Sequence, residues 1–173
     1  MALILFLHGP SSSGKSTLAT AIRNASERPF LHLSIDHLRD SGAWTPAAYP
    51  DWSAARPQFF SGFHRAIAGF ADAGNDLIVE HILDTPGWHQ DLQQRLAGHE
   101  VIFVGLMTPL AVLEAREAAR ADRPAGSAAR DFGHVHDGLV YDVTFDGRTG
   151  AQEGAQQILA RIAAPRARSH FFD

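Results

Sequence analysis

Gly9-Pro10-Ser11-Ser12-Ser13-Gly14-Lys15-Ser16-Thr17, near the N-terminus, carries the sharpest chemical signal in the chain. It satisfies Gly-x-x-x-x-Gly-Lys-Ser/Thr, a spacing that turns backbone N–H groups onto phosphate oxygens. Gly9 and Gly14 permit backbone angles that other residues resist, so consecutive amides can point inward. The helix expected after the loop adds the positive end of its dipole. In such a loop Lys15 reaches the β- and γ-phosphates, and the Ser16 hydroxyl is a ligand for Mg²⁺. Lys15 is also the only lysine in the sequence. Against a background of arginine, a compact ammonium suits a tight cradle that a planar guanidinium does not fit in the same way.

Two carboxylates compete for the remaining chemistry. Asp36 closes an apolar run, Phe30-Leu31-His32-Leu33-Ser34-Ile35. A carboxylate there can accept a proton from an attacking hydroxyl or hold a metal-bound water. Capping of a following helix is its structural alternative. Glu80 closes Asp76-Leu77-Ile78-Val79-Glu80 and resembles the acidic tip of a Walker B segment, a candidate for Mg²⁺ or for the acceptor. The sequence does not say which acid is nearer the metal. His81 and Asp84 are weaker candidates. Arg116, Arg120 and Arg123 follow helical spacing, with Arg130 beyond. Guanidinium groups on a lid over approximately residues 116–131 can stabilise a transferring phosphoryl group. The alternative is surface pairing with Glu114 and Glu117. His134 and His136 lack a third ligand and are read as non-metal.

These residues need a scaffold. Leu3 to Leu7 reads as a buried parallel strand feeding the loop, with a helix from Thr17 to Arg23 behind it. Further strands are expected at 30–35, 76–80, 101–106 and 139–145. Helices are expected at 87–97, 109–120 and 151–163. Phe59, Phe60, Phe63, Ile67 and Phe70 recur at helical spacing and predict an amphipathic helix facing the core. Residues 41–57 read as irregular, interrupted by Pro46, Pro50 and Pro57. Trp44, Tyr49 and Trp52 lie in that stretch and are either the wall of an acceptor pocket or rings that pin a loop. The tail from Pro165 has no clear pattern. Strands alternating with helices behind an N-terminal P-loop predict a three-layer α/β fold with a five-stranded parallel sheet.

Bulk properties narrow the function. The 173 residues are 45% hydrophobic with a net charge of −4 and no cysteine. One domain over residues 1–173 is expected. The acidic balance gives no general nucleic-acid footprint, and disulfide or thiolate chemistry is excluded. The first apolar run lacks a basic n-region, so a signal peptide is not expected. Membrane association is likewise not expected, and a cytoplasmic location is the default.

Four pieces together resemble the chloramphenicol phosphotransferase family of P-loop kinases: Gly-x-Ser-Ser-x-Gly-Lys-Ser, the acid at Asp36, and two longer segments. These segments are Ala115-Arg116-Glu117-Ala118-Ala119-Arg120-Ala121-Asp122-Arg123-Pro124-Ala125-Gly126 and His136-Asp137-Gly138-Leu139-Val140-Tyr141-Asp142-Val143. The resemblance implies ATP-dependent phosphorylation of a small-molecule hydroxyl, with Asp36 as general base and the segment from Arg116 to Arg130 as lid. Residues 41–60 depart from the family pattern, and Glu80-His81 stands where the family carries an acidic pair. Rival readings are a kinase for a sugar, a shikimate-like acid or a nucleoside, a nucleic-acid 5′-hydroxyl kinase, or a non-kinase NTPase. A GTPase of the Asn-Lys-x-Asp type is excluded, because Lys15 is the only lysine.

Overall fold

The computed structural model describes residues 1–119, 126–164 and 168–173. Its centre is a five-stranded sheet in the order β2-β3-β1-β4-β5, with every neighbouring pair parallel. The strands are β1 (Leu3–His8), β2 (Leu31–Ser34), β3 (Leu77–Glu80), β4 (Glu100–Met107) and β5 (Val143–Asp146). The helices are α1 (Lys15–Ala25), α2 (Ile35–Asp40), α3 (Trp52–Asp72), α4 (Trp88–Leu96), α5 (Leu110–Ala118), α6 (Ser127–Phe132) and α7 (Ala151–Ala163). Short 3₁₀ turns lie at Pro46–Ala48 and His170–Phe172.

Strand β1 is buried along its whole length because helices cover both sheet faces. Its side chains alternate between two cores. Ile4 and Phe6 join Phe60, Phe63, Ile67, Leu92, Phe103 and Phe171 on one face. Leu3, Leu5 and Leu7 join Leu18, Ile22, Phe145 and Ile158 on the other. Burying each large apolar side chain contributes roughly 1.5–3 kcal/mol, so this strand anchors both layers. It also fixes where the phosphate-binding loop leaves the sheet.

The sequence pattern and the structure part company at several points. β2 stops at Ser34, and Asp36 lies in the first turn of α2. The Ser34 hydroxyl caps that helix by accepting from the Asp36 N–H at 3.2 Å, so the capping role considered for Asp36 belongs to Ser34. Pro57 does not end a helix but lies inside α3, whose first turn is held by Asp51 accepting from Ala54 N–H at 3.0 Å. A single proline that near the N-terminus removes one intrahelical donor. Phe70, placed on the core face by its spacing, is exposed.

Strand β5 begins at Val143, not Leu139. The preceding residues are held largely by side chains. Asp142 exchanges its own N–H and its carboxylate with Phe103, at 2.9 and 2.7 Å. The Tyr141 hydroxyl lies between Nδ1 of His8 and Nδ1 of His136, at 2.9 and 2.6 Å. The patternless tail has a packing role. Phe171 is fully buried against Phe6, Phe103 and His89. Its carbonyl accepts from Gln93 at 2.8 Å.

Candidate active site

The parallel sheet brings the ends of β1, β2 and β3 to one edge, where ligands of such sheets bind. From β1 the chain enters the loop of residues 9–14. Gly9 has φ +155, and a Cβ there would meet the Leu106 carbonyl oxygen at 3.0 Å. Gly14 has φ +101 and caps α1 without a side-chain bond, leaving the first helical amides for a ligand. Ser12 shares the left-handed region at φ 64, a strained choice for a non-glycine residue. Lys15 curls over the loop, its Nζ 2.9 Å from the carbonyls of both Gly9 and Pro10.

Glu80, from the neighbouring β3, accepts from the Ser16 hydroxyl at 2.8 Å. Its other oxygen lies 2.6 Å from His32 Nε2 on β2. Burial works against its ionised form, but hydrogen bonds from His32 and Ser16 outweigh that and hold its pKa below the usual carboxylate value. His32 was not singled out in the sequence. Its signal was position, two residues before the strand end and in register with Ile78 beside Glu80.

Asp36 sits across the opening, its carboxylate 3.0 Å from Arg39 Nη1 one helical turn on. A cavity of about 30 Å³ lies among Ser12, Ser13, Gly14, Lys15, Ser16, Thr17, Asp36 and Glu80. The next, about 140 Å³, shares Lys15, Asp36 and Glu80 and adds Phe60, His81 and Trp88 as an aromatic wall. Arg56 borders it with its guanidinium committed to Asp84 at 2.8 Å and Thr85 at 2.7 Å, over the Trp88 ring at 4.5 Å. Through Asp84 this cavity adjoins a third, about 550 Å³, bordered by His89, Gln93 and Arg130.

The aromatic loop takes the pinning role. Trp44 stacks on Phe59 at 4.4 Å and meets Trp52 at 5.0 Å, while Tyr49 meets Trp52 at 5.3 Å. None of these three lines the cavity beside Lys15. Phe60, read from sequence as a core position, and Trp88 of α4 supply its wall instead.

On the opposite side of the loop Arg116 donates to Ser13 O at 3.2 Å and to Gly147 O at 2.6 Å. It lines a cavity of about 520 Å³ with Gly14, Thr17, Phe145, Arg148 and Thr149. Glu117 does not pair with it. Its carboxylate accepts from the Gly126 and Ala128 amides at 2.8 and 2.9 Å and so ties α6 to α5. Arg130 pairs with Asp131 at 3.0 Å, and Asp131 also accepts from Ser11 N–H at 3.1 Å. Arg120 and Arg123 lie outside the described residues. Among the described residues no helix is long and apolar enough to cross a membrane.

This sheet order, with the phosphate-binding loop after β1 and an acid at the end of β3, is a P-loop kinase architecture, and solved structures share it. APS kinase of Mycobacterium tuberculosis, in complex with AMPPNP and APS, superposes with a TM-score of 0.71 over 94% of this chain and 98% of that one, at 19% identity. The tunicamycin resistance protein of Deinococcus radiodurans gives 0.66 at 20% identity, covering 95% and 100%. Shikimate kinase of Acinetobacter baumannii, in complex with shikimate, gives 0.62 at 19% identity, covering 94% of each. The chain belongs to the chloramphenicol phosphotransferase-like family, which it matches over residues 2–163, and is a phosphotransferase. A Mycobacterium tuberculosis H37Rv protein provisionally named an O-phosphotransferase is 23% identical over 171 residues, covering 83% of this chain and 74% of that protein.

Proposed function

We propose that the protein is an ATP-dependent O-phosphotransferase for a hydroxyl of a neutral, partly apolar small molecule, with chloramphenicol or a related natural product as the first candidate. The observation that carries this reading is the line of adjoining cavities. The space beside Arg116 and Phe145 suits a nucleoside. The loop follows, and beyond Lys15, Asp36 and Glu80 lies an aromatic-walled pocket. A nucleotide and an alcohol placed in that line meet at Lys15.

In this reading residues 9–17 cradle the phosphates, Lys15 draws the γ-phosphoryl group and Arg116 steadies the loop from behind. Ser16 and Glu80 fit Mg²⁺, because a hydroxyl and an ionised carboxylate 2.8 Å apart form a hard oxygen donor set. Mg²⁺ bound there would neutralise charge on the β- and γ-phosphates. Asp36 accepts the proton of the acceptor hydroxyl. The hydroxyl oxygen forms a bond to the γ-phosphorus, the bridging P–O bond breaks, and ADP leaves with the electron pair. Arg120 and Arg123 belong to the proposed lid over approximately residues 116–131. We take residues 1–173 as one catalytic domain in the cytoplasm, with no nucleic-acid or membrane partner.

The acceptor assignment follows from charge. Arg56, the pocket's cation besides Lys15, is already engaged by Asp84. A carboxylate or phosphate acceptor is usually held by convergent free Arg or Lys. The test is ADP release with ATP, Mg²⁺ and a panel of chloramphenicol, neutral polyols, nucleosides, shikimate and gluconate. Turnover with a neutral alcohol is expected. Turnover confined to the anionic acceptors contradicts the assignment.

A further inference from the structure

A buried chain of side chains runs away from the acceptor pocket. His81, directly after Glu80, is 5% exposed and sandwiched between rings. It stacks on Phe60 at 5.6 Å and 4° and meets Trp88 at 5.1 Å. Its Nε2 lies 2.9 Å from His64 Nε2 on α3. His64 Nδ1 lies 2.8 Å from Asp91 Oδ2 on α4, and Asp91 is held by Arg95 at 2.9 Å. Three elements thus converge on two buried imidazoles, in a place where an apolar core serves stability equally well.

The direction of every hydrogen bond in this chain is set by its end. Asp91, paired with Arg95, accepts only, so His64 Nδ1 carries the proton. Both rings are buried, at 1% and 5% exposed, and the uncharged imidazole is the ordinary form above neutral pH. With its one proton on Nδ1, His64 offers a lone pair at Nε2, and His81 must donate to it from Nε2. The remaining nitrogen of His81, Nδ1, then carries a lone pair. Among the described residues it has no polar partner, and His81 lines the pocket that also holds Lys15 and Asp36.

We propose that His81 is an acceptor-recognition residue that takes a hydrogen bond from a second O–H or N–H group of the acceptor, fixed in that role by His64 and Asp91. The proposal rests on the phosphotransferase reading for the presence of an acceptor. It narrows the substrate class. The carboxylates of Asp36, Glu80 and Asp84 line the same cavity. Such a lining selects a donor-rich neutral molecule such as a diol, because a carboxylate or carbonyl oxygen facing His81 Nδ1 leaves two lone pairs opposed.

Two measurements test this on the full chain. Long-range ¹H–¹⁵N correlation of histidine-labelled protein at pH 8, without nucleotide or acceptor, is expected to show His81 as the Nε2–H tautomer and His64 as the Nδ1–H tautomer. A His81 that carries its proton on Nδ1 overturns the proposal. Then His81→Phe, which keeps the ring packing, is expected to raise the KM of a turned-over panel acceptor about tenfold or more. His81→Gln, which keeps an acceptor oxygen, recovers part of that loss. KM for ATP stays within about twofold, so that the loss falls on the acceptor side alone. Loss of all these constants together in both variants marks a packing role and overturns the proposal. Failure of the whole panel in the unaltered protein removes the phosphotransferase reading, while the tautomers still decide the role of His81.

Discussion

The proposed phosphate cradle and acceptor pocket meet at Lys15, with Asp36 and Glu80 at the junction, yet they are built in opposite ways. The cradle is one continuous stretch, residues 9–17, whose glycines and helix start fix its shape locally. The pocket is assembled from Ser34 and Asp36 on one side, Arg56 and Phe60 from α3, the turn after β3, and Trp88 from α4. A local device depends on few neighbours. A pocket made of four distant segments can change its lining one segment at a time while the cradle stays constant. Phosphoryl chemistry and acceptor choice are therefore separable in this fold, and substitutions on the two sides should fail differently.

The sharpest contrast comes from Lys15→Ala. Transfer is expected to vanish while the thermal midpoint stays close to that of the parent, since Nζ bonds to the Gly9 and Pro10 carbonyls and the Ser13 hydroxyl of its own loop. ADP release and a calorimetric melt check both halves. Retained transfer breaks the division at its root. Asp36→Asn comes next, with kcat lowered roughly 10²–10⁴-fold and nucleotide affinity kept, the usual scale for a positioned base. Single-turnover transfer beside equilibrium nucleotide binding separates the two quantities.

Smaller effects sharpen the pocket side. Trp88→Ala removes the face under Arg56 and the wall beside Phe60, and is expected to raise the acceptor KM by about tenfold with little change for ATP. Trp44→Ala is the matched control. It cuts a stack on Phe59 outside the pocket, so stability should fall by roughly 1–3 kcal/mol while the acceptor KM moves less than about twofold. Steady-state kinetics and denaturant titration of the pair decide it. A larger KM effect from Trp44 than from Trp88 would return the loop to the pocket wall.

How much of this was legible beforehand follows the same division. The cradle was, because Gly9, Gly14, Lys15 and Ser16 act through local backbone geometry. So were the sheet and α7, whose apolar periodicity matches its bounds at Ala151–Ala163. The pocket's acids were singled out as well, but its aromatic wall was not. Phe60 lies on a phenylalanine-rich helical face where core packing is the natural reading, and only the approach of β3 and α4 turns that position toward the cavity. His64 is one more buried position on the same face, and its link to His81 and Asp91 exists only in three dimensions. Trp44 and Tyr49 read equally as pocket wall or as pinning rings, and with Phe59 and Trp52 in reach they cluster on one another. Phe171 had no periodic context, so its place between Phe6 and Phe103 left no trace in the pattern.

In the proposed function two acids divide the chemistry where the two regions meet, Glu80 serving the cation and Asp36 the hydroxyl. Initial rates of phosphoryl transfer across a range of Mg²⁺ concentrations, for the parent, Glu80→Gln and Asp36→Asn, test it most directly. Glu80→Gln is expected to shift the Mg²⁺ requirement upward by about tenfold and to regain much of its rate at saturating Mg²⁺. Asp36→Asn is expected to keep the parental Mg²⁺ requirement at a rate that no concentration restores. The reverse pattern, a Mg²⁺-rescued Asp36→Asn and an unrescued Glu80→Gln, would contradict the assignment of both residues.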